Sequence, residues 1–282
     1  MKQLADNDEV VINKFNPKSI KHDKILIFIG SRGSGKSSLL KDIMYYHKDI
    51  PVGTCISITE EANPFFRHFM PKPFIHKIIN MKAVENALKR QKMIKKTLNK
   101  EKNVEVRKKI DPRAFLILDD CQCIKDWTKK EIIREIFFNG RHYNLMFLIT
   151  MQYSLGIPPE LRTNVDYAFI FAETNVGNRK RLYENYAGVI PNFEMFNRLM
   201  NLCTKNHECL VIDNTSTSTE LVDRVFWYKA EFHDEFRVGS PNFWSYNDGN
   251  SSSDSELETV EPVSTKDLKR DMSHLRIKKR PN

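Results

Sequence analysis

The chain has 282 residues, 40% of them apolar and 29% charged, the balance of a soluble globular protein long enough to bury a substantial core. No run approaches the ~18 apolar residues of a membrane span, and residues 1–13 are polar and acidic, with no signal-peptide core. The net charge of +9 and pI near 9.2 suit a polyanionic partner without identifying one.

Five cysteines, odd in number and without paired zinc spacing, fit a chain kept in a cytosol-like compartment. Cys121 and Cys123 form only C-x-C, which reads as packing. Residues 1–24 are a polar lead-in in which Val10-Val11-Ile12 suggests an edge strand.

The first strong pattern is the apolar run Ile25–Ile29 followed by Gly30-Ser31-Arg32-Gly33-Ser34-Gly35-Lys36-Ser37-Ser38 and a helical pattern over 36–47. Strand, G-x-x-x-x-G-K-S and helix in that order form the context of a phosphate-binding P-loop. Glycines let the backbone curl with its N–H groups inward, and the helix adds the positive end of its dipole. Gly30 to Ser38 would hold a nucleotide such as ATP. Lys36 would reach the β- and γ-phosphates, and the Ser37 hydroxyl would bind Mg²⁺.

Beyond Pro51-Val52-Gly53 a strand is predicted over 54–59, then a loop at Thr59-Glu60-Glu61-Ala62-Asn63-Pro64 and a short apolar run from Phe74. Residues 81–110 differ in character, with eleven Lys/Arg against three Glu and sparse helical spacing of Val84, Leu88, Ile94 and Leu98. They read as a solvated helix or helical pair, either a nucleic-acid backbone contact or a soluble surface.

Ala114-Phe115-Leu116-Ile117-Leu118-Asp119-Asp120 is a continuously apolar strand tipped by two carboxylates, as in a sheet covered on both faces. Asp119 would help hold Mg²⁺ through its water shell, and Asp120 could accept a proton from an attacking water. A helix over 129–138 and the turn Asn139-Gly140-Arg141-His142 lead to a strand over 145–150, whose carboxyl end carries Gln152. At that tip Gln152 would lie beside a γ-phosphate and could orient the water. Arg141 and Arg162, on either side of this strand, are both candidates for an arginine supplied to a neighbouring subunit.

A short helix over 160–164, a strand over 167–171, helices over 179–186 and 193–202, and paired strands over 208–212 and 225–228 follow. Apolar strands alternating with helices predict an α/β fold with a largely parallel sheet. Residues 1–245 form the expected domain, with 81–110 as a basic helical insertion, and the Ser-, Asp- and Lys-rich stretch 246–282 reads as a disordered polar tail.

The ordered set Gly30–Ser38, Thr59–Pro64, Phe115–Asp120, Arg141-His142-Tyr143-Asn144, Ile149–Tyr153 and Leu161–Tyr167 resembles the DNA-packaging ATPases of poxviruses and other large DNA viruses, within the FtsK–HerA superfamily of P-loop NTPases. The resemblance spans about residues 10–230. It implies an ATP- and Mg²⁺-dependent motor, a hexameric ring that moves double-stranded DNA into preformed capsids. Capsid or virion proteins would be its partners, at a viral assembly site in the host cytoplasm. It also implies an arginine finger at Arg141 rather than Arg162. Where the wider superfamily commonly has Glu after the metal-binding Asp, this chain has Asp120. On the residues alone, a helicase or other ATPase acting on RNA or protein, and a nucleotide-switched capsid adaptor, stay open.

Overall fold

The computed structural model describes residues 2–3, 11–78, 80–121 and 126–248. Ten strands form one sheet in the order β1-β2-β10-β9-β8-β3-β7-β6-β4-β5. The strands are β1 (Lys2–Gln3), β2 (Val11–Lys14), β3 (Ile25–Ile29), β4 (Gly53–Ser57), β5 (Ile75–His76), β6 (Ala114–Asp119), β7 (Leu145–Met151), β8 (Tyr167–Phe171), β9 (Glu208–Asp213) and β10 (Val225–Lys229). From β5 through β8 all neighbours are parallel. β9 then runs antiparallel to both β8 and β10. Every residue of β3, β6, β7 and β8 is buried, which is why these segments read as unbroken apolar runs rather than alternating ones.

Helices cover both faces. On one face α1 (Lys36–Tyr46) buries Leu39, Leu40, Ile43 and Met44 against Leu26, Phe28 and Phe169. On the other, α2 (Met81–Lys100), α4 (Glu131–Asn139), α6 (Val176–Tyr186) and α7 (Phe193–Cys203) pack on Ile25, Ile27, Leu116 and Ile149. The remaining helices are α3 (Val104–Lys109), α5 (Pro159–Arg162) and α8 (Pro241–Asp248). Alternate side chains of β3 therefore face two separate cores.

Several elements differ from the sequence expectation. The strand expected at the edge is β2, which holds Val11 and Ile12 but is paired on both sides, with β1 and with β10, so it is not an edge; Val10 lies outside the described residues. Asn175 caps α6 by accepting from Asn178 N–H, so that helix starts at Val176 instead of 179. A 3-10 turn at Trp127–Lys129 precedes α4, which begins only at Glu131. The tail expected from 246 overlaps α8, which runs to Asp248 because Phe243 buries its ring and Trp244 Nε1 donates to Val238 O at 2.8 Å. Residues 249–282 lie outside the described residues.

One polar contact fixes the orientation of α1. Asp42, fully buried on that helix, accepts from Tyr228 Oη of β10 at 2.8 Å, and its other oxygen meets His233 Nε2. A buried carboxylate satisfied from two sides ties the helix to the sheet's far half.

Candidate active site

β3 lies between β7 and β8 although the chain leaves it for β4, three places away. Such a change of direction opens a crevice at the carboxyl ends of the strands, and the loop Gly30–Gly35 fills it. Gly33 and Gly35 have φ of +77° and +112°, a region open to glycine at little cost. At Gly30 a Cβ would stand 2.7 Å from Phe171 Cβ, so the loop's close approach to β8 also requires glycine. Lys36 begins α1 and is buried; its Nζ donates to Gly30 O at 2.9 Å and Ser31 O at 3.1 Å. Burial lowers the pKa of its ammonium, opposed by the negative charges of Asp120 and Asp119.

β7 separates β3 from β6, so Gln152 projects from between the P-loop and the acidic strand tip. Asp119 is buried, and three hydroxyls surround its carboxylate. Ser57 and Thr59 donate to Oδ2 at 2.7 and 3.3 Å, and Thr150 donates to Oδ1 at 2.7 Å. Burial still raises its pKa above the usual carboxylate value, against these three hydrogen bonds. Asp120 takes up a left-handed conformation, φ +49°, held by its N–H donating to Thr150 Oγ1 at 2.9 Å. That turn brings the Asp120 carboxylate to Gln152, whose Nε2 donates to Oδ2 at 3.0 Å. The other carboxylate oxygen, Oδ1, is buried without a hydrogen-bond partner.

Lys36, Ser37, Asp119 and Asp120 border one open cleft of about 720 Å³, with Arg32, Gly33 and Ser38 on the loop side and His207 and Lys229 on the rim. The volume is that of a small-molecule site, roughly 300–1,000 Å³. Ser31 and Ser34 border a neighbouring pocket that shares Arg32, Gly33 and His207 with this cleft. A triphosphate with a hard cation fits these groups. Glycine backbone and a helix N-terminus border the cleft, a hydroxyl and a buried carboxylate line it together, and Asp120 Oδ1 is a buried carboxylate oxygen left without a hydrogen-bond partner.

The structure does not bring Arg141 to this cleft. It sits in the turn Gly140–Tyr143 ahead of β7, so the length of that strand, about 23 Å at ~3.3 Å per residue, separates it from Gln152. Its guanidinium is half exposed and pairs with buried Asp166 at 3.2 Å, a carboxylate shared with Lys24 and with the N–H of Ile25. Arg162 is more enclosed, with its guanidinium over the Tyr186 ring at 5.8 Å.

The donors around Asp119 and the two rim residues are sites that reading the sequence missed. Ser57 and Thr150 are polar residues at the ends of apolar runs, and that was the available signal. Glu60, in the loop after β4, serves that loop: it accepts from the N–H groups of Phe65, Phe66 and Arg67.

A phosphate-cradling loop, an acid-tipped strand and a glutamine-tipped strand between them define a P-loop NTPase. Residues 12–220 match the family model described as Poxvirus A32 protein, and the chain belongs to that family. It is 41% identical over 223 residues to an uncharacterized protein of Acanthamoeba polyphaga mimivirus, covering 78% of this chain and 77% of that one. Among solved structures, the genome packaging NTPase of Sulfolobus turreted icosahedral virus 2 in complex with sulfate superposes with TM-score 0.51 at 15% identity, over 76% of this chain and all of that one. The pCW3 conjugation coupling protein with ATPgS gives TM-score 0.53 at 15% identity, over 76% of this chain and 62% of that one. These likenesses show the shared fold.

Proposed function

We propose that this chain is the ATP-hydrolysing motor that packages viral double-stranded DNA, acting as a ring in which each subunit supplies Arg141 to its neighbour's cleft. The observation that carries the reading is the placement of the site at two ends of β7. Lys36, Asp119, Asp120 and Gln152 stand at the carboxyl ends of adjacent strands, while Arg141 stands at the amino end. An arginine there can serve phosphoryl transfer only in another subunit's site. Membership of the A32 family and the fold shared with a viral genome packaging NTPase support the same reading. A hexamer at a viral assembly site in the host cytoplasm, docked to capsid proteins, belongs to it.

In this mechanism the loop N–H groups and Lys36 hold the β- and γ-phosphates, and Lys36 leaves its carbonyl partners to do so. Ser37 and Asp119 are the residues that would hold Mg²⁺, which supplies charge neutralisation at the phosphates. Asp120, aimed by its left-handed turn, accepts the proton of the attacking water, and Gln152 orients that water through the carboxylate it already touches. Arg141 of the adjacent subunit stabilises the charge on the transferred group. Among the described residues no helix is long and apolar enough to cross a membrane.

The deciding experiment is the ATPase rate with and without double-stranded DNA at low and moderate salt. Stimulation that weakens as salt rises is expected of a motor tracking phosphates. Stimulation by single strands or a protein client alone, or turnover indifferent to duplex, would overturn the reading.

A further inference from the structure

Residues 81–110 carry a net charge of +8, from eleven Lys/Arg against three Glu, in a chain whose total is +9. The geometry of α2 shows where much of that charge points. At about 100° per residue, Lys82, Lys89, Lys96 and Lys100 fall within roughly 40° of one another. Ala83, Val84, Leu88 and Gln91 are buried on the opposite side of the helix. All four lysines are exposed. Lys82 has Glu85 at 3.6 Å, but among the described residues no carboxylate pairs with Lys89, Lys96 or Lys100. The lysines on the flank of the helix are used differently: Lys92 pairs with Glu135, and Lys95 lies 5.4 Å over the Tyr143 ring. Every residue of α3 is exposed as well, including Arg107 and Lys109.

A helix solvated for its own sake mixes charges of both signs at i,i+4 spacing. Here like charges repeat along one face, which costs self-repulsion unless a polyanion neutralises them. A second copy of the chain, itself strongly basic, would add to that repulsion. A lipid surface would call for an apolar face beside the lysines, and of the apolar residues of α2 only Met93 is broadly exposed. From Lys82 to Lys100 the stripe is about 27 Å long at ~1.5 Å per residue, a length over which duplex DNA presents charge every ~1.7 Å of its axis.

The stripe is also fastened to the catalytic strands. Gln91 is buried, and its Nε2 donates to Pro112 O and Tyr143 O, both at 2.7 Å. Pro112 leads into β6, which ends at Asp119, and Tyr143 closes the turn that carries Arg141.

We infer that the lysine stripe of α2 is a surface on which this chain holds the phosphate backbone of double-stranded DNA, independent of base sequence. The inference rests on the motor reading for its ligand and adds the place of contact. Its test compares the full chain with Lys89→Gln/Lys96→Gln/Lys100→Gln and with a charge-matched control, Lys18→Gln/Lys21→Gln/Lys180→Gln. Each binds a short duplex of mixed sequence from about 50 to 200 mM salt. The stripe variant is expected to keep its ATPase rate without DNA and to lose roughly 2.7 from the slope of log K against log salt, about 0.9 per phosphate contact. The control should keep both slope and affinity. A wild-type slope in the stripe variant, or an equal loss in the control, overturns the inference while leaving the motor reading intact. If polyglutamate binding is lost in the stripe variant and duplex binding is not, the stripe belongs to an acidic protein partner and the inference fails. Absence of duplex binding and of stimulation in the unmodified chain would defeat both readings together.

Discussion

Gln152 Nε2 donates to Asp120 Oδ2 at 3.0 Å, joining the tips of β7 and β6 beside the P-loop on β3. The contact satisfies one carboxylate oxygen of Asp120, while the other, Oδ1, is buried without a hydrogen-bond partner. Replacing Gln152 by Ala removes the orienting amide while leaving every loop contact of Lys36 in place. Turnover is expected to fall by about 10²-fold, the lower end of what a positioned proton-transfer group contributes, with nucleotide affinity unchanged. Equilibrium binding of a fluorescent ATP analogue beside steady-state kcat checks it. A loss of affinity equal to the loss of rate would place Gln152 in binding instead.

Asp120→Asn keeps the shape and the capacity to accept from Gln152 but cannot take a proton from water. Turnover should drop by roughly 10²–10⁴-fold while Mg²⁺-dependent ATP binding persists. If binding disappears with the rate, the carboxylate is holding the cation. The same assay on Lys36→Ala should show the reverse pattern, because the phosphates lose their direct cation and binding fails first.

Much of this site was legible because the chain writes it locally. The loop from Gly30 to Ser37, the Asp119-Asp120 tip and Gln152 are each contiguous with an apolar run, and unbroken apolar runs announce strands buried on both faces. What the residues could not announce is pairing across distance. Ser57, Thr59 and Thr150 converge on Asp119 from the ends of β4 and β7, lying 62, 60 and 31 residues from it along the chain. Their role follows from strand order, which no local pattern encodes. Short elements were lost for the opposite reason. β5 has two residues and α8 is held by the packing of Phe243, so neither had length enough to show a period.

Arg141→Ala separates two roles of one residue. Within the subunit its half-exposed pair with Asp166 contributes little, ~0–1 kcal/mol for such a bridge, and Lys24 stays to partner the carboxylate. The melting temperature should therefore hardly move. Hydrolysis should fall by about 10³–10⁵-fold, the range for an arginine finger. Mixed with intact chains, the variant should depress the rate by more than its mole fraction. A rate that follows mole fraction linearly would point to Arg162 or to a monomeric enzyme.

Stability should fall on mild acidification because of His47 at the end of α1. Its Nε2 is buried without a partner, and burial pushes its pKa below the usual histidine value, against a hydrogen bond from its ring to the Pro17 carbonyl. The unfolded chain then takes up the proton first, near pH 6.5, so stability declines as pH falls below that value. His76, also lowered by burial, acts in the same direction. His47→Gln should lose less melting temperature than wild type between about pH 7.5 and 5.5, across the reference histidine pKa. Parallel curves for the two proteins would remove His47 from the account.

Thr150 bears on folding and catalysis through one hydroxyl. It donates to Asp119 Oδ1 and accepts from the Asp120 N–H, so it both stabilises a buried charge and holds the left-handed turn that aims the second carboxylate. Thr150→Val preserves the shape and deletes both bonds, leaving a buried carboxylate and a backbone N–H short of partners. The expected cost is about 1–3 kcal/mol, or roughly 2–4 °C in melting temperature for each kcal/mol in a domain of this size. Turnover should fall further than the loss of folded protein explains, because Asp120 is no longer held. Thr150→Ser returns the hydroxyl without the methyl group and should recover most of the rate even if some stability is lost with the smaller side chain. A valine variant that melts earlier but turns over normally when folded would confine Thr150 to the fold, and the turn at Asp120 would then need no hydroxyl to keep its aim.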